Sequence, residues 1–331
     1  MIKFDQQKQI DSVNGALALR PQIERCVDEL WQAGKRQLCF LGVGGTYASA
    51  LQVECHIKGR SALQVCAENA AFYNYTGNRH LGPDTVVIFS SVSGTTSEVV
   101  TAVQALKEKG AYIFGFVDAP ASPLALLCDC LITYPMNEQL KLFMVADRFM
   151  YHAGDFPEYA DYYAQMDRHL AQALVDVELS ADAFGAEFAQ RHHRDPMHYF
   201  VAAGNQYGAA YSYAMCYWEE QHWLRTKSIH AAEFFHGTLE IIECDTPVTL
   251  FLGEDAERPL AERVARFLPQ ICGNYTFIDT KDYPTPGISD AYRGNISHLI
   301  MHAVTQRIDA HIEALNHHPM PIRRYYRVLT Y

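Results

Sequence analysis

The stretch that decides the fold is an apolar run that passes into hydroxyl side chains and a glycine: Val87-Ile88-Phe89-Ser90-Ser91-Val92-Ser93-Gly94-Thr95-Thr96-Ser97-Glu98. Its start is typical of a buried strand in a parallel sheet, and a helical pattern begins at Ser97. A helix N-terminus offers free N–H groups, and Gly94 lets the backbone come close to a ligand. This turn therefore predicts a phosphate site, although an ordinary turn with a serine-rich helix cap would have the same composition.

A second glycine-rich turn lies upstream, in the run Leu38-Cys39-Phe40-Leu41-Gly42-Val43-Gly44-Gly45-Thr46-Tyr47-Ala48-Ser49. Its Gly-x-Gly-Gly matches half of a dinucleotide-binding fingerprint. However, the spaced third glycine is missing, and no acidic residue ends the next predicted strand, 63–66. Because it is paired with the serine turn on a neighbouring strand, we interpret it as the other edge of a sugar-phosphate cradle.

Strand patterns alternate with helical patterns through the first half of the chain. We expect strands near 38–43, 63–66, 86–90, 112–117 and 130–134, and helices near 21–34, 47–58, 68–74 and 97–109. This alternation predicts an α/β fold with a doubly wound parallel sheet flanked by helices. Ligands of such sheets bind beyond the carboxyl ends of the strands, which is where both turns lie.

The second half of the chain repeats the pattern of the first. A predicted strand at 198–203 runs into Gly204-Asn205-Gln206-Tyr207-Gly208-Ala209-Ala210, which shares its first glycine, its tyrosine and its last alanine with Gly44-Gly45-Thr46-Tyr47-Ala48-Ser49-Ala50. The chain is therefore expected to be a tandem of two similar lobes. The rear counterpart of the serine turn contains Glu254, Asp255 and Glu257, which would repel a phosphate. Only the first lobe is expected to bind one, and a single helix is expected over 207–224.

The composition is that of a globular protein, with 49% apolar residues, 20% charged residues and a net charge of −11. This acidic surplus argues against nucleic acid as a partner. No stretch has the pattern of a signal peptide or the length to span a membrane.

The nine cysteines are expected to be mostly buried free thiols in a reducing cytoplasm. Cys128 and Cys130 are too close for the usual zinc pair, so neither a metal nor a cofactor is predicted. The pair His192-His193 is interpreted as solvated.

The two turns together resemble the sugar isomerase (SIS) domain, the phosphosugar-binding domain in the isomerase half of glucosamine-6-phosphate synthase. Within that family the chain is most similar to the phosphosugar deglycases, which cleave fructose-amino-acid and glucose-amino-acid 6-phosphates. The resemblance implies two tandem SIS domains, at 36–136 and at 195–331 with the C-terminal tail. A helical connector, 137–194, would join them, and a helical segment, 1–35, would precede them.

The resemblance also assigns the phosphate ligands. It implies that the hydroxyls of Ser91, Ser93, Thr96 and Thr46 hold the phosphate, with Gly45 as a further candidate contact to the substrate. Threonine at 46 stands where the family has serine, which is a small departure.

A segment of the second lobe resembles the part of these enzymes that carries the acid–base pair. It ends in Glu233-Phe234-Phe235-His236-Gly237, with Thr238 in place of the family's proline. The resemblance implies that Glu220, sixteen residues before His236, is the base and that His236 acts in ring opening and proton transfer. A 1,2-proton shift on a sugar needs such a pair. From the residues alone, Glu219 or Glu220 could be a solvated carboxylate, His236 a helix cap, and Glu233 with His236 a metal pair.

The tail contains Ile322-Arg323-Arg324-Tyr325-Tyr326-Arg327 and also resembles the deglycases. In the synthase a tail lysine forms a Schiff base with the ketose, and by simple alignment Arg327 stands there. An arginine stays protonated and cannot be that nucleophile, so Arg327 is kept only as a candidate substrate contact. The departure favours a substrate that already carries an amine.

We therefore expect a cytoplasmic deglycase that acts on a ketosamine or glucosyl-amine 6-phosphate and releases glucose 6-phosphate and an amine or amino acid. The expected partners are the sugar phosphate and a second copy of the chain, as a homodimer or a dimer of dimers. The alternatives are an aldose–ketose or amino-sugar phosphate isomerase and a non-catalytic sugar-phosphate sensor. Residues 1–35 are too short and too weakly basic for the helix-turn-helix module of such sensors.

Overall fold

The structure, a computed structural model, describes residues 1–330. The chain forms two compact units. The front unit runs from Lys8 to Ala171, and the rear unit combines Met1–Gln7 with the chain from Gln172 onward. Each unit carries one sheet in which all strands are parallel. The predicted α/β class, with parallel sheets flanked by helices, is confirmed.

Strands and helices alternate along the first part of the chain. The strands are β1 (Gln37–Gly42), β2 (Gln64–Asn69), β3 (Thr85–Ser91), β4 (Tyr112–Val117) and β5 (Cys130–Ile132). The helices are α1 (Gln6–Leu17), α2 (Arg20–Gln32), α3 (Gly45–Lys58), α4 (Ala70–Thr76), α5 (Ser97–Glu108), α6 (Pro123–Leu127), α7 (Glu138–Ala153) and α8 (Tyr159–Gln165), which a short π-helix, Met166–Leu170, follows.

The front sheet has the strand order β2-β1-β3-β4-β5. Strand β3 is buried along its whole length because it pairs with β1 on one side and β4 on the other. Val87 and Phe89 of β3 share one apolar cluster with Val99, Val103 and Leu106 of α5. Each such buried side chain contributes about 1.5–3 kcal/mol, so this packing fixes where α5 begins relative to the end of β3.

The rear unit is built in the same way. Its strands are β6 (His198–Ala202), β7 (Thr226–His230), β8 (Val248–Leu252) and β9 (Tyr275–Asp279), in the order β7-β6-β8-β9. The helices are α9 (Ala171–His192), α10 (Asn205–Ser212), a π-helix (Tyr213–His222), α11 (Ala231–Phe234), α12 (Arg258–Phe267) and α13 (Asp290–Asn316), with short 3-10 turns at Thr238–Ile241, Leu268–Gln270 and Thr280–Asp282. This second-first-third-fourth order is that of the first four front strands.

Two expectations from the sequence need correction. The single helix expected over 207–224 is divided into α10 and the π-helix, whose wider turns carry one more residue than an α-helix would. All nine cysteines are free, but only Cys39, Cys130 and Cys272 are buried. Cys244 is exposed because it lies in the turn before β8, outside the core. No described helix combines the length and the apolar character needed to cross a bilayer.

Candidate active site

The serine turn joins β3 to α5, and its own hydrogen bonds shape it. Ser91 Oγ accepts a bond of 3.0 Å from the Gly94 N–H, and Ser93 Oγ accepts bonds from the Thr95 N–H and hydroxyl at 3.3 and 3.1 Å. Gly94 has φ +64°, and a Cβ atom there would lie 1.9 Å from Ser122 Oγ. Glycine is therefore required at this position both by the backbone conformation and by the space available.

The N-terminus of α5 is open to a ligand. Thr96 is the residue that caps this helix, and its hydroxyl makes no capping hydrogen bond. The first N–H groups of a helix have no partner within it, and they carry the positive end of its dipole. Because the Thr96 hydroxyl does not cap them, these N–H groups are available to an anion that enters the turn.

The glycine-rich turn joins β1 to α3 at the same edge of the front sheet, because β1 and β3 are parallel neighbours. Thr46 Oγ1 donates to the Val43 carbonyl and accepts from the Val43 N–H, both at 3.0 Å. A Cβ atom on Gly42 would lie 2.5 Å from the backbone of Thr46 and Tyr47, so the strand passes closely under the helix. The Thr46 hydroxyl therefore closes its own turn, and Gly45 begins α3 beside it.

The rear unit contains a second copy of this glycine turn. Gly204, before α10, has φ 60° and ψ −140°, close to the 62° and −128° of Gly44 before α3. The Gly204 N–H donates to Glu257 Oε2 at 3.0 Å, and the Asn205 N–H donates to Asp255 Oδ2 at 2.6 Å. Two carboxylates of the protein thus occupy the anion position at the start of α10.

The expectation that the rear lobe binds no phosphate stays a prediction, and these two hydrogen bonds are its physical basis. The third carboxylate, Glu254, has a different role, because it pairs with the buried guanidinium of Arg293 at 2.8 Å. The front turn has hydroxyls in place of these carboxylates, and Glu98 in the first turn of α5 accepts from the Ser97 hydroxyl at 2.9 Å.

The two adjacent glutamates of the rear π-helix have different partners. Glu219 Oε1 accepts from the Thr226 hydroxyl at 2.8 Å. Glu220 Oε1 accepts from Nε of Arg323 at 2.7 Å, and about a third of the Glu220 side chain is exposed. Glu220 is therefore a half-buried carboxylate with a fixed positive partner, while Glu219 is tied to the neighbouring strand.

The C-terminal tail reaches Glu220 because it docks on Trp223, which directly follows the π-helix. Trp223 has the left-handed conformation, with φ 60° and ψ 30°. Its ring is packed against His318, with the ring centroids 4.1 Å apart, and against the guanidinium of Arg324, also at 4.1 Å. These two contacts hold the tail segment that carries Arg323.

Asp309 of α13 forms hydrogen bonds with both ends of the π-helix. Asp309 Oδ1 lies 3.0 Å from Nε2 of His222 and accepts from the Tyr213 hydroxyl at 3.1 Å. All three side chains are buried. Burial raises the pKa of Asp309, and the hydrogen bonds from His222 and Tyr213 act against it. Both ends of the π-helix are thus bound to one carboxyl group.

The remaining predicted site residues are more exposed. His236 follows α11, and its backbone N–H donates to the Glu233 carbonyl at 3.0 Å. Within residues 1–330, no hydrogen bond or ion pair joins His236 to Glu220, so the structure does not bring this predicted pair together within the rear unit. Arg327 is exposed, has φ 57° and lies over the Tyr326 ring at 5.2 Å.

Comparison with known proteins identifies relatives of this chain. The SIS domain model matches residues 30–150. The fructosamine deglycase FrlB of Bacillus subtilis (strain 168) is 30% identical over 254 residues, which cover 74% of this chain and 77% of FrlB. This chain belongs to the SIS family of enzymes. The fructoselysine 6-phosphate deglycase of Escherichia coli (strain K12) is 24% identical to the SIS enzyme over 312 residues, or 92% of this chain and 90% of the relative.

Solved structures extend the similarity over almost the whole SIS enzyme. A Bacillus subtilis protein described as a phosphosugar isomerase superposes with a TM-score of 0.87 at 25% identity, covering 94% of this chain and 100% of that one. The C-terminal domain of glucosamine-fructose-6-phosphate aminotransferase from Francisella tularensis superposes with a TM-score of 0.76 at 13% identity, covering 95% of each chain. At that identity the second similarity shows the fold alone.

Three residues of the candidate site of the SIS enzyme are not predicted by the sequence. Arg323 belongs to the tail pattern, and nothing in the sequence indicates that it contacts Glu220. Asp309 and His222 are 87 positions apart, so no local pattern joins them. A carboxyl between apolar residues in the pattern of α13 is the signal that could have drawn attention to Asp309, because buried carboxyls are normally paired.

One cluster in the SIS enzyme has the composition of a metal site. The ligand atoms of His192, Asp195 and His198 lie within 4.8 Å of one another. Asp195 Oδ2 bonds Nδ1 of both rings, at 2.7 and 2.8 Å, and Nε2 of His198 lies 2.8 Å from the Thr249 hydroxyl. Burial lowers the pKa of His198 to about 4. Hydrogen bonding within the protein thus accounts for the cluster, and His192 is buried rather than solvated, which corrects the interpretation from the sequence.

Proposed function

We propose that this SIS enzyme is a deglycase that converts a ketosamine 6-phosphate, or a glucosyl-amine 6-phosphate, and water into glucose 6-phosphate and a free amine or amino acid. The observation that carries the proposal is the pair of open turns at one edge of the front sheet, in a chain that is 30% identical to a fructosamine deglycase. The Glu220 carboxylate adds the base that the chemistry needs.

The phosphate is held by the serine turn and the glycine turn. Ser91, Ser93 and Thr96 supply hydroxyls, and the first N–H groups of α5 supply fixed donors. Thr46 contributes by rotating its hydroxyl proton from the Val43 carbonyl to the phosphate, while Gly45 brings the backbone close. The rear turn cannot take this role, because Asp255 and Glu257 already bond its N–H groups.

The reaction is a proton shift followed by hydrolysis. On the open-chain ketosamine, Glu220 takes a proton from C1, which leaves an enaminol, and returns a proton to C2. The product is an aldose imine. Water adds to C1, the C1–N bond breaks, and the nitrogen leaves as the free amine while C1 becomes the aldehyde of glucose 6-phosphate. His236 donates and accepts protons at the sugar oxygens during ring opening.

We also propose that the rear unit is a second, degenerate SIS domain. Its strand order and the conformation of its glycine turn support this, and the boundaries that we keep are 36–136 and 195–331, with 1–35 and 137–194 as helical segments. His236 is exposed and forms no hydrogen bond or ion pair with Glu220 within the described chain, so we propose that it serves the site of a second subunit in a dimer. Nine free thiols support a reducing, cytoplasmic setting.

An isomerase is the second candidate, because solved phosphosugar isomerases share the fold. In that case the C1–C2 proton shift would proceed without loss of an amine. Arg327 argues against the route that uses a tail lysine, since a guanidinium cannot form a Schiff base.

The test uses purified enzyme and a panel of fructosyl-amine and glucosyl-amine 6-phosphates, with glucose 6-phosphate measured by a coupled dehydrogenase. We expect release of glucose 6-phosphate together with an equal amount of amine, and a loss of roughly 100-fold or more in the Glu220→Gln variant. Exchange of the C2 hydrogen with D2O without amine release would establish the isomerase instead. If no substrate of the panel is turned over, the deglycase proposal is wrong.

A further inference from the structure

A cavity lies at the amino ends of the front strands, opposite the two turns of the candidate active site. Its volume is about 460 Å³, which is within the usual range for small-molecule sites. We infer that this cavity binds a polyphosphate chain, either free or as the triphosphate of a nucleotide. The site is separate from the phosphosugar site and does not depend on the proposed function.

The length of the sheet separates the cavity from the phosphosugar site. Gln37, which lines the cavity, is the first residue of β1, and its register partner Thr85 is the first residue of β3. The two turns follow Gly42 and Ser91 at the opposite ends of these strands. A strand rises about 3.3 Å per residue, so roughly 15–20 Å separates the cavity from the turns. A ligand in the cavity is therefore not the phosphate of a sugar held at the turns.

Two basic side chains line the cavity, Arg79 from the loop before β3 and Lys109 from the end of α5. Both are exposed, and neither forms an ion pair with a carboxylate within residues 1–330. His80 follows Arg79 in the lining, and Asp84 is the only acid among the described lining residues. The chain as a whole has a net charge of −11, so unpaired cations at one cavity do not follow from a generally basic surface. They supply a local positive potential that attracts an anion.

A neutral donor lies among these charged groups. Gln37 Oε1 accepts from the Thr85 hydroxyl at 2.7 Å, and Thr85 Oγ1 accepts from the Gly82 N–H at 3.0 Å. These hydrogen bonds fix the side-chain amide of Gln37 through its oxygen. The amide nitrogen forms no hydrogen bond within the described part of the chain, so its two N–H groups are available to a ligand.

The loop before β3 is held in place by hydrogen bonds at both ends. The His80 N–H donates to Asn78 Oδ1 at 3.0 Å, and Asn78 Nδ2 donates to Glu68 Oε2 at 2.9 Å. On the other side of the loop, the Lys35 ammonium donates to the Pro83 carbonyl. A preorganised loop lets its charged side chains bind an anion with little loss of chain freedom.

The lining favours an extended anion over a single phosphate. The cations come from two separate segments of the chain, and a cavity of this size is much larger than one phosphate ion. A polyphosphate chain can reach both cations, since it accepts the bidentate hydrogen bonds of a guanidinium and pairs with the point charge of an ammonium. Leu81 and Pro83 add apolar surface to the lining, which suits the base or ribose of a nucleotide.

Isothermal titration calorimetry with inorganic tripolyphosphate, and separately with ATP, tests the inference at physiological ionic strength without divalent cations. We expect one binding site per chain. The double variant Arg79→Gln and Lys109→Gln should raise Kd for tripolyphosphate by roughly 10-fold or more, because hydrogen bonds to charged groups are lost. Tighter binding of ATP than of tripolyphosphate would identify a nucleotide as the ligand, and equal or weaker binding of ATP would identify the polyphosphate chain alone.

Gly82→Glu gives an independent test of the same cavity. A Cβ atom on Gly82 would meet no other atom within 4 Å, and its φ angle is not in the left-handed region, so the loop accepts a side chain there. The new carboxylate at the cavity should repel the anion and raise Kd as the double variant does. Thermal unfolding without ligand shows whether both variants are folded.

Two control variants locate the binding. Arg168→Gln removes an exposed cation of the front unit outside the cavity and should leave Kd unchanged. Ser93→Ala alters the proposed phosphate turn and should also leave Kd for tripolyphosphate unchanged. Absence of binding at millimolar tripolyphosphate, or a rise in Kd in either control equal to that in the double variant, would overturn the inference.

Discussion

Nε2 of His222 lies 3.0 Å from Oδ1 of Asp309, and both side chains are buried. His222 is the last residue of the π-helix that carries Glu220, and Asp309 lies on α13. The same carboxyl oxygen accepts from Tyr213, the first residue of that π-helix, at 3.1 Å. One acid therefore binds the two ends of an unusual helix whose geometry decides where the proposed base points.

The first prediction tests this anchor by comparing two substitutions of Asp309. Asp309→Ala leaves a buried imidazole and a buried hydroxyl without a partner, and we expect the free energy of unfolding to fall by about 2–4 kcal/mol. Asp309→Asn keeps an acceptor oxygen in place and should lose less than half as much. Urea unfolding monitored by circular dichroism measures both. If the two variants lose the same stability, hydrogen bonding to Oδ1 is not what holds the π-helix.

Much of this fold could be predicted from the sequence, because its strands are short apolar runs that end at glycine or hydroxyl turns. Strand β4 has the predicted bounds, 112–117. The π-helix could not be predicted, since its sequence still has helical spacing and the hydrogen bonds that hold its two ends come from Asp309 on a distant helix.

Some features of the candidate site could also be predicted from the sequence, and others could not. The turns at Gly44 and Gly94 were visible because positive φ angles demand glycine. The contact of Arg323 with Glu220 spans 103 positions and depends on how the tail packs on Trp223, which no local pattern encodes. The glycine turn before α10 could be predicted in part. Its acidic surroundings are visible in the sequence, but only the structure shows that Glu257 and Asp255 accept from the Gly204 and Asn205 N–H groups.

The second prediction concerns the phosphate. Ser93→Ala removes an acceptor for Thr95 and a proposed donor to the phosphate, so we expect KM to rise roughly 10-fold while kcat changes by less than about 3-fold. Ser91→Ala should act in the same direction and also reduce thermal stability, because the Gly94 N–H loses its bond. The same variants are assayed on the unphosphorylated fructosyl amine, where no KM effect is expected. A rise in KM that is equal on both substrates would remove these serines from the phosphate site.

The third prediction asks whether His236 acts across a subunit boundary. Glu220→Gln and His236→Asn chains are each expected to be nearly inactive alone. Mixed by co-expression, they form hybrid dimers in which one site combines Glu220 of one chain with His236 of the other. Random pairing should then restore about a quarter of the wild-type activity.

The control for this experiment is a mixture made from separately folded proteins, assayed before subunits exchange, which should stay inactive. Size-exclusion chromatography with light scattering gives the oligomeric state of the same samples. Co-expressed hybrids that remain inactive would place the whole acid–base pair within one chain. A His236→Asn chain that is fully active alone would exclude His236 from the reaction.

The last prediction follows from Glu178 of α9. Burial raises the pKa of this carboxyl to about 7, and the guanidinium of Arg307 acts against the shift. Arg307 lies 4.0 Å from Glu178 and forms a closer ion pair with Asp182, at 2.7 Å, so it offsets only part of the effect of burial. The unfolded chain loses this proton near the ordinary value of 4.5. Between these two pH values the folded state binds more protons than the unfolded state, so the free energy of unfolding falls as pH rises. The stabilising contribution is complete below about pH 4.5 and is lost above about pH 7.

Glu178→Gln mimics the protonated side chain and should remove this pH dependence. Relative to wild type, the variant should gain about 2–3 kcal/mol between pH 5 and pH 8, since each unit of pKa shift corresponds to about 1.36 kcal/mol. Urea midpoints at half-unit steps of pH measure the gain. Glu187→Gln replaces an exposed glutamate of the same helix and should differ from wild type by a constant amount. Parallel pH profiles for wild type and Glu178→Gln would show that Glu178 is ionised in the folded protein at every pH tested, so that its burial is compensated by Arg307.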